Sequence, residues 1–333
     1  MLIFHSCIGE KGEVIMKIAV IGCGRWGSLI AWYLDSIKMK VTLYGRQESK
    51  NMQRFLKERK NDYLELPESI ILTNDLQCTK EADIIVISIN SQGLSALLEE
   101  LAPCQLQNKI FVLCMKGIEI STGRRLTQVV NDSVYFSNEA AVWIGPGHVQ
   151  ELYHGIPNCM VIDSNNEEVK KKLVDSFNSD LIRIYYGQDL TGNEIGAAAK
   201  NVIGIAAGML DGLGLSSLKG ALMSRGTREV SRLIKAMGGN ELSAYGLCHL
   251  GDYEATVFSQ YSHNRRFGEL FIRGEHYDKL AEGYYTVKAM MNLGKNYGVD
   301  LPISRAVYEI LYNNKDARAT LDELFARSIK SEF

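Results

Sequence analysis

Proline is scarce, 5 in 333 residues, so most of the chain is free to form uninterrupted helices and strands. The charge has no dominant sign: 37 Lys and Arg oppose 39 Asp and Glu, a net of −2, and no long basic block stands out. That argues against a nucleic-acid or anionic-membrane surface as the main partner. The seven cysteines are odd in number, scattered and without CxxC pairs. They fit reduced thiols in a cytoplasmic protein, not a disulfide framework or a zinc site. The six histidines lack ligand spacing, so no metal is expected. The uncharged run 201–210 is too short to span a bilayer. The opening MLIFHSCIGEKGEVI lacks a basic n-region and a full apolar h-region, so residues 1–15 read as a short N-terminal extension, not a secretory signal.

What is present is apolar material, 46% of the residues, enough for a large core and for two domains. Seven β-branched runs read as strands: 17–22, 40–45, 82–89, 109–115, 140–145, 159–164 and 181–186. Helix-length segments such as 25–37 and 91–101 separate several of them. Strands alternating with helices predict an α/β, doubly wound parallel sheet covered on both faces, over 16–187. After about residue 188 the strand runs stop. Helical segments at 190–211, 217–237, 241–249, 277–298 and 302–313 predict an all-α second domain, 188–333, with any site in the cleft between the two.

Gly22-Cys23-Gly24-Arg25-Trp26-Gly27 matches GxGxxG between the first strand and a helix, the context that makes it a dinucleotide fingerprint. Gly22 would make the tight turn, Gly24 the close approach to the pyrophosphate, and Gly27 the packing of helix on sheet. The end of the second strand, Leu43-Tyr44-Gly45-Arg46-Gln47, has no acid to bind a ribose 2′-hydroxyl. Arg46 can pair with a 2′-phosphate, which favours NADP(H); a solvated surface arginine is the competing reading. Other strand ends carry Asn90-Ser91, Lys116-Gly117 and Gly145-Pro146-Gly147-His148. Lys116 at such a rim suits an anionic or carbonyl-bearing substrate.

In GAAAKNVIGIAAGM, residues 196–209, Lys200 is the one charge between Glu194 and Asp211. Its helical neighbours Gly196, Ala197, Gly204, Ala207 and Gly208 are small. Glycine in a helix costs roughly 1 kcal/mol relative to alanine, so three on one face predict close approach by another helix or a ligand. A lysine dried in this way loses proton affinity and is ready for exchange near neutral pH. A packing lysine that snorkels to water is the equal alternative.

GCGRWG, KGIE (116–119), Gly145-Pro146 with Glu151, the block 193–215, ALMSRGTRE (221–229), GLCHLGDYEAT (246–256), SHNRRFG (262–268) and AEG (281–283) occur in this order. Together they resemble the bacterial NAD(P)-dependent glycerol-3-phosphate dehydrogenases, from about Met16 to the early 310s. The resemblance implies reduction of dihydroxyacetone phosphate to sn-glycerol 3-phosphate for phospholipid backbones. It implies Lys200 as the acid/base, with Lys116 and Asp252 completing the catalytic group. It implies substrate contacts from Lys116, Gly145, Asn201, Asp252, Thr256, Ser262, His263 and Asn264. Cofactor contacts would come from Gly22, Gly24, Arg25, Trp26, Gly27, Arg46, Lys116, Val149, His263 and Glu282. Ser262 is expected to cap a helix whose Arg265 and Arg266 form a phosphate cradle. Base rates for enzymes suggest a homodimer.

The sequence also departs from the family. Its S-R-N is Ser262-His263-Asn264 here, its G-P-S has Gly147 for serine, and its G-D-N is Leu215-Ser216-Ser217. The connection from NRRFG to AEG is shorter than usual. Histidine cannot make a bidentate fork, so another small 2-oxo or hydroxy substrate is the second reading, with Arg265 a candidate for the missing charge that the sequence alone does not decide. A non-catalytic dinucleotide sensor ranks last, because Lys200, Asn201, Lys116, Asp252 and Thr256 are all retained.

Overall fold

The computed structural model describes residues 7–8, 14–133, 135 and 138–328. Of the N-terminal extension, only Cys7–Ile8 and Val14–Ile15 are described before Met16; they pair antiparallel, and the rest lies outside the described residues. The chain forms two compact units. One runs to Met115 and takes up again over Leu126–Leu190; the other joins Lys116–Arg125 to the chain from Thr191 on.

The first unit is built on an eight-stranded sheet. Its strands are β1 (Lys17–Ile21), β2 (Lys40–Tyr44), β3 (Ile71–Thr73), β4 (Ile84–Ile87), β5 (Ile110–Leu113), β6 (Glu139–Ile144), β7 (Asn158–Ser164) and β8 (Ile182–Tyr186). The order is β8-β7-β6-β5-β4-β1-β2-β3. Every neighbouring pair is parallel except β6 with β7. Central strands such as β4, IIVI, and β5, IFVL, are buried at every residue, as a sheet covered on both faces requires. Helices α1 (Arg25–Ser36), α2 (Lys50–Glu58), α3 (Leu94–Leu101) and α4 (Glu167–Phe177) cover it. The expected doubly wound fold is therefore present, with two details the sequence reading lacked. Strand β3 has only three residues, too few to show a period. The parallel run is also broken once, at β6 and β7.

The second unit is helical: α5 (Leu190–Gly212), α6 (Lys219–Ala236), α7 (His263–Ile272), α8 (Glu282–Asn296), α9 (Pro302–Asn313) and α10 (Ala317–Phe325). Two expected helices are corrected. Residues 241–249 hold only a 3₁₀ turn, Glu241–Tyr245, capped by the Asn240 side chain and ended by extended Gly246. The segment expected from 277 becomes helical only at Glu282, because Ala281 is extended. α10 was not expected.

The glycines of α5 are explained by α7. A Cβ on Gly208 would lie 1.9 Å from the carbonyl oxygen of Arg265, and one on Gly268 would lie 2.2 Å from that of Ile205. The two helices thus meet backbone against backbone, each through the other's glycine. That contact places Asn264, at the start of α7, beside the turn of α5 that carries Asn201. Lys116–Arg125 belongs with these helices: Ile118 is fully buried in their core, and Arg125 forms a 2.5 Å ion pair with Glu194 of α5.

Candidate active site

The glycine loop joins β1 to α1 where the sheet reverses its order, since β1 pairs with β2 on one side and β4 on the other. Such a switch point is where ligands of doubly wound sheets sit. Gly22 has φ +110°, and a Cβ there would fall 2.2 Å from the Ser88 carbonyl oxygen at the end of β4. A Cβ on Gly27 would fall 1.9 Å from the Gly22 carbonyl oxygen. A Cβ on Gly24 would meet nothing within 4 Å, so open space faces the N-terminus of α1 at that residue. Arg25 and Trp26 begin the helix. Gly145 follows β6 with φ +149°, and buried Val149 opens the short helix Val149–Tyr153. Arg46 follows β2 and is half exposed, with its guanidinium 2.5 Å from Glu100 of α3.

The second unit gathers the lysines. Lys200 is buried on α5, and its ammonium contacts Asp252 and donates to Thr256 Oγ1 at 3.0 Å. Lys116 Nζ reaches the same Asp252 oxygen at 2.6 Å. Thr256 Oγ1 donates to the Asp252 carbonyl oxygen at 2.7 Å. It lies in a π-helical turn, Glu254–Phe258, a distortion frequent at functional sites. The three charges sum to +1, so the cluster holds a surplus of positive charge in a nearly dry place. Burial pushes the Lys200 pKa down to about 7; Asp252 opposes that and Lys116 reinforces it. A lysine in that state can gain or lose a proton at neutral pH.

Two asparagines tie this cluster to α7 and α8. Asn201 Nδ2 donates to the Lys116 carbonyl oxygen at 3.0 Å, and Asn264 Nδ2 donates to Asn201 Oδ1 at 3.0 Å. Asn264 Oδ1 accepts from the Gly283 backbone N–H at 2.9 Å, next to Glu282 in the first turn of α8. Ser262 caps α7, accepting from the Arg265 N–H at 3.3 Å. His263 Nδ1 hydrogen-bonds the Tyr277 hydroxyl. Of the expected site residues, Lys116, Lys200, Asn201, Asp252, Thr256 and Asn264 are therefore joined by direct polar contacts.

The expected phosphate cradle changes. Arg265 is held by Asp211 at 2.6 Å and Glu269 at 3.2 Å, and its Nε donates to the Ser259 carbonyl oxygen. Two carboxylates and a carbonyl oxygen therefore already occupy the guanidinium. Arg266 is half exposed, 3.9 Å from Glu269. His249 and Tyr253, which are not among the expected site residues, are both fully buried on either side of Asp252 in the chain. Their spacing, four residues apart on a mostly apolar block, was the available signal.

A glycine loop at the switch point of a nearly parallel sheet, and a helical unit with a buried lysine of near-neutral proton affinity, define a dinucleotide-dependent dehydrogenase. The sequence profile of the NAD-dependent glycerol-3-phosphate dehydrogenase N-terminus matches residues 17–170, and that of the C-terminus matches residues 189–322. The chain belongs to this family. It is 34% identical to the glycerol-3-phosphate dehydrogenase [NAD(P)+] of Chlorobium phaeobacteroides, over 95% of this chain and 99% of the relative. Its identity to the one of Fusobacterium nucleatum is also 34%, over 96% and 99%. The crystal structure of glycerol-3-phosphate dehydrogenase from Coxiella burnetii superimposes with a TM-score of 0.87 at 28% identity, covering 94% of this chain and 99% of that one. D-mandelate dehydrogenase, at 15% identity and a TM-score of 0.63, shares the fold alone.

Among the described residues no helix is long and apolar enough to cross a membrane.

Proposed function

We propose that this protein reduces dihydroxyacetone phosphate to sn-glycerol 3-phosphate, reversibly, with NADPH or NADH. The observation that carries this reading is the buried Lys200–Asp252–Lys116 cluster, with a proton on Lys200 that is exchangeable near pH 7. A nicotinamide dinucleotide, when bound, would be the source of the hydride that the ketone carbon receives. The first unit fits it: the left-handed Gly22 and the open space at Gly24 leave room for a pyrophosphate at the N-terminus of α1. Gly22, Gly24, Arg25, Trp26, Gly27 and Val149 are its expected neighbours there, and Gly145 is kept for the substrate. Arg46 can exchange its exposed Glu100 partner for a ribose 2′-phosphate, which supports NADPH.

Lys200 gives its proton to the carbonyl oxygen as negative charge develops there, and Lys116 stabilises that charge. Asp252 holds both ammonium groups. Thr256, Asn201 and Asn264 fix the approach, with Ser262, His263 and Glu282 at the start of α7 and α8. The net positive charge of the cluster suits a doubly anionic phosphate ester. The first unit would serve the dinucleotide and the second the substrate, in a cytoplasmic homodimer that feeds phospholipid synthesis.

The test follows oxidation of NADPH and of NADH with dihydroxyacetone phosphate and with unphosphorylated dihydroxyacetone. Turnover is expected with the phosphate ester alone, faster at low NADPH than at equal NADH. Equal turnover of both ketones would overturn the substrate, and no turnover of either would overturn the reaction.

The pairing of His263 with Tyr277 favours a second reading, in which the ester is replaced by a related small 2-oxo compound. Histidine can offer one directed bond where the family arginine offers a fork. If the phosphate ester is the substrate, His263→Arg should lower its KM several-fold at unchanged kcat. An unchanged or higher KM would mean that the phosphate is held elsewhere.

A further inference from the structure

We propose that His249 is a positioning residue for the Lys200–Asp252 pair, a clamp between the turn of α5 that leads into Lys200 and the segment that carries Asp252. The proposal rests on the reading of Lys200 as the proton donor, and its test is read first without turnover.

The geometry fixes how the imidazole is used. His249 Nδ1 lies 2.8 Å from the carbonyl oxygen of Gly196, one helical turn before Lys200. A carbonyl only accepts, so Nδ1 carries the hydrogen. Nε2 is then an acceptor, and the Tyr253 hydroxyl, 2.7 Å away, donates to it. Thr227 Oγ1 stands 3.4 Å behind that hydroxyl and donates to the Met223 carbonyl oxygen of α6 at 2.8 Å. His249 and Tyr253 are fully buried and bracket Asp252 in sequence. A Cβ on Gly196 would come within 3.0 Å of the His249 Cβ, so the glycine admits the ring against the helix.

Both ring nitrogens are satisfied, and no proton has to pass through them. The imidazole is held neutral as well: burial pushes its pKa down to about 4, and Lys200 adds to that while Asp252 opposes it. The charged groups acting on it are Lys200 from α5 and Asp252 from its own segment; Glu229 of α6 acts on its hydroxyl partner Tyr253, and Lys116 shares Asp252 with Lys200. A neutral ring tied at both ends adds no third cation to a cluster in which Lys200 and Lys116 already share one carboxylate. It spends its two bonds on geometry.

The experiment measures the pH dependence of acetylation of Lys200, read by mass spectrometry of the intact protein and its peptides, in the wild type and in His249→Ala, His249→Asn and Tyr253→Phe. The alanine leaves an imidazole-sized gap that admits water beside Lys200. The midpoint of reactivity is then expected to rise by about one pH unit, as burial is relieved. Asparagine keeps an N–H where Nδ1 was and should restore the midpoint towards the wild type. Tyr253→Phe, which keeps the packed shape, should move it part of the way and lower kcat for ketone reduction with little change in KM. Midpoint and kcat unchanged in both the alanine and the phenylalanine variants, whatever happens to their melting temperatures, would overturn the clamp. Wild-type protein that is inactive on every ketone, yet shows these midpoint shifts, would sink the assigned reaction and leave the clamp standing.

Discussion

Lys200→Ala is expected to lower kcat for ketone reduction by about 10²- to 10⁴-fold, the worth of a positioned proton donor. NADPH binding, read by fluorescence of the reduced nicotinamide, should survive, because the glycine loop belongs to the other unit. The pH profile gives a sharper check. With its affinity near 7, the wild-type lysine is charged below that pH and neutral above it. Reduction needs the charged form, so kcat for reduction should fall as pH rises through about 7. Oxidation of the alcohol needs the neutral form, so its kcat should rise over the same interval. Both limbs should vanish in the alanine variant. The sign for stability follows from the same shift. A lysine whose folded-state pKa lies below its ordinary value binds fewer protons folded than unfolded between about 7 and 10.5. The cost of burying it is full below that window and is relieved as pH rises across it. A variant that keeps turnover within a few-fold of wild type would show that another group delivers the proton.

The parts of this molecule that are local in sequence could be read from the sequence. The glycine loop is six consecutive residues between a strand and a helix, and its geometry follows from that order. Lys200 stood out because an isolated charge in a small, apolar helix needs a reason. The glycines around it were ambiguous between a ligand and a helix; Gly208 meets the Arg265 carbonyl, so the answer is α7, which lies more than fifty residues further on. Asp252 and Thr256 were assigned only through family resemblance, because nothing local marks an acid as the partner of a lysine 52 residues earlier. His249 meets the same limit: its spacing from Tyr253 is visible in the sequence, but its other partner is the carbonyl of Gly196, a backbone atom that no residue pattern reveals. The availability of the Arg265 charge could not be read either. Asp211 and Glu269, which hold it, come from two different helices.

Asp252→Asn should be the other severe change, and its effect is not that of a lost surface salt bridge. The carboxylate is 1% exposed and holds two ammonium groups at once. Burial and Lys116 push the proton affinity of Lys200 down, while Asp252 pushes it up. Replacing the carboxylate with an amide removes the opposing influence and keeps the volume. Lys200 should then shed its proton at pH 7, leaving Lys116 to carry the cluster's charge. Reduction at pH 7 is expected to fall by about 10²-fold or more, since the donor no longer holds a proton. The falling limb of the pH profile should move to the acid side by about two units or more, with part of the rate recovered there. The stability loss should stay below the about 3–5 kcal/mol of breaking a buried pair outright, because Lys200 can neutralise itself. That escape is absent in the Lys200→Ala background, where Lys116 still needs Asp252 and no neutral lysine can take up the difference. Urea unfolding of the single and double variants tests the coupling. If the asparagine variant keeps the wild-type limb near pH 7, the carboxylate does not set the lysine's affinity, and the proton donor is tuned by burial alone.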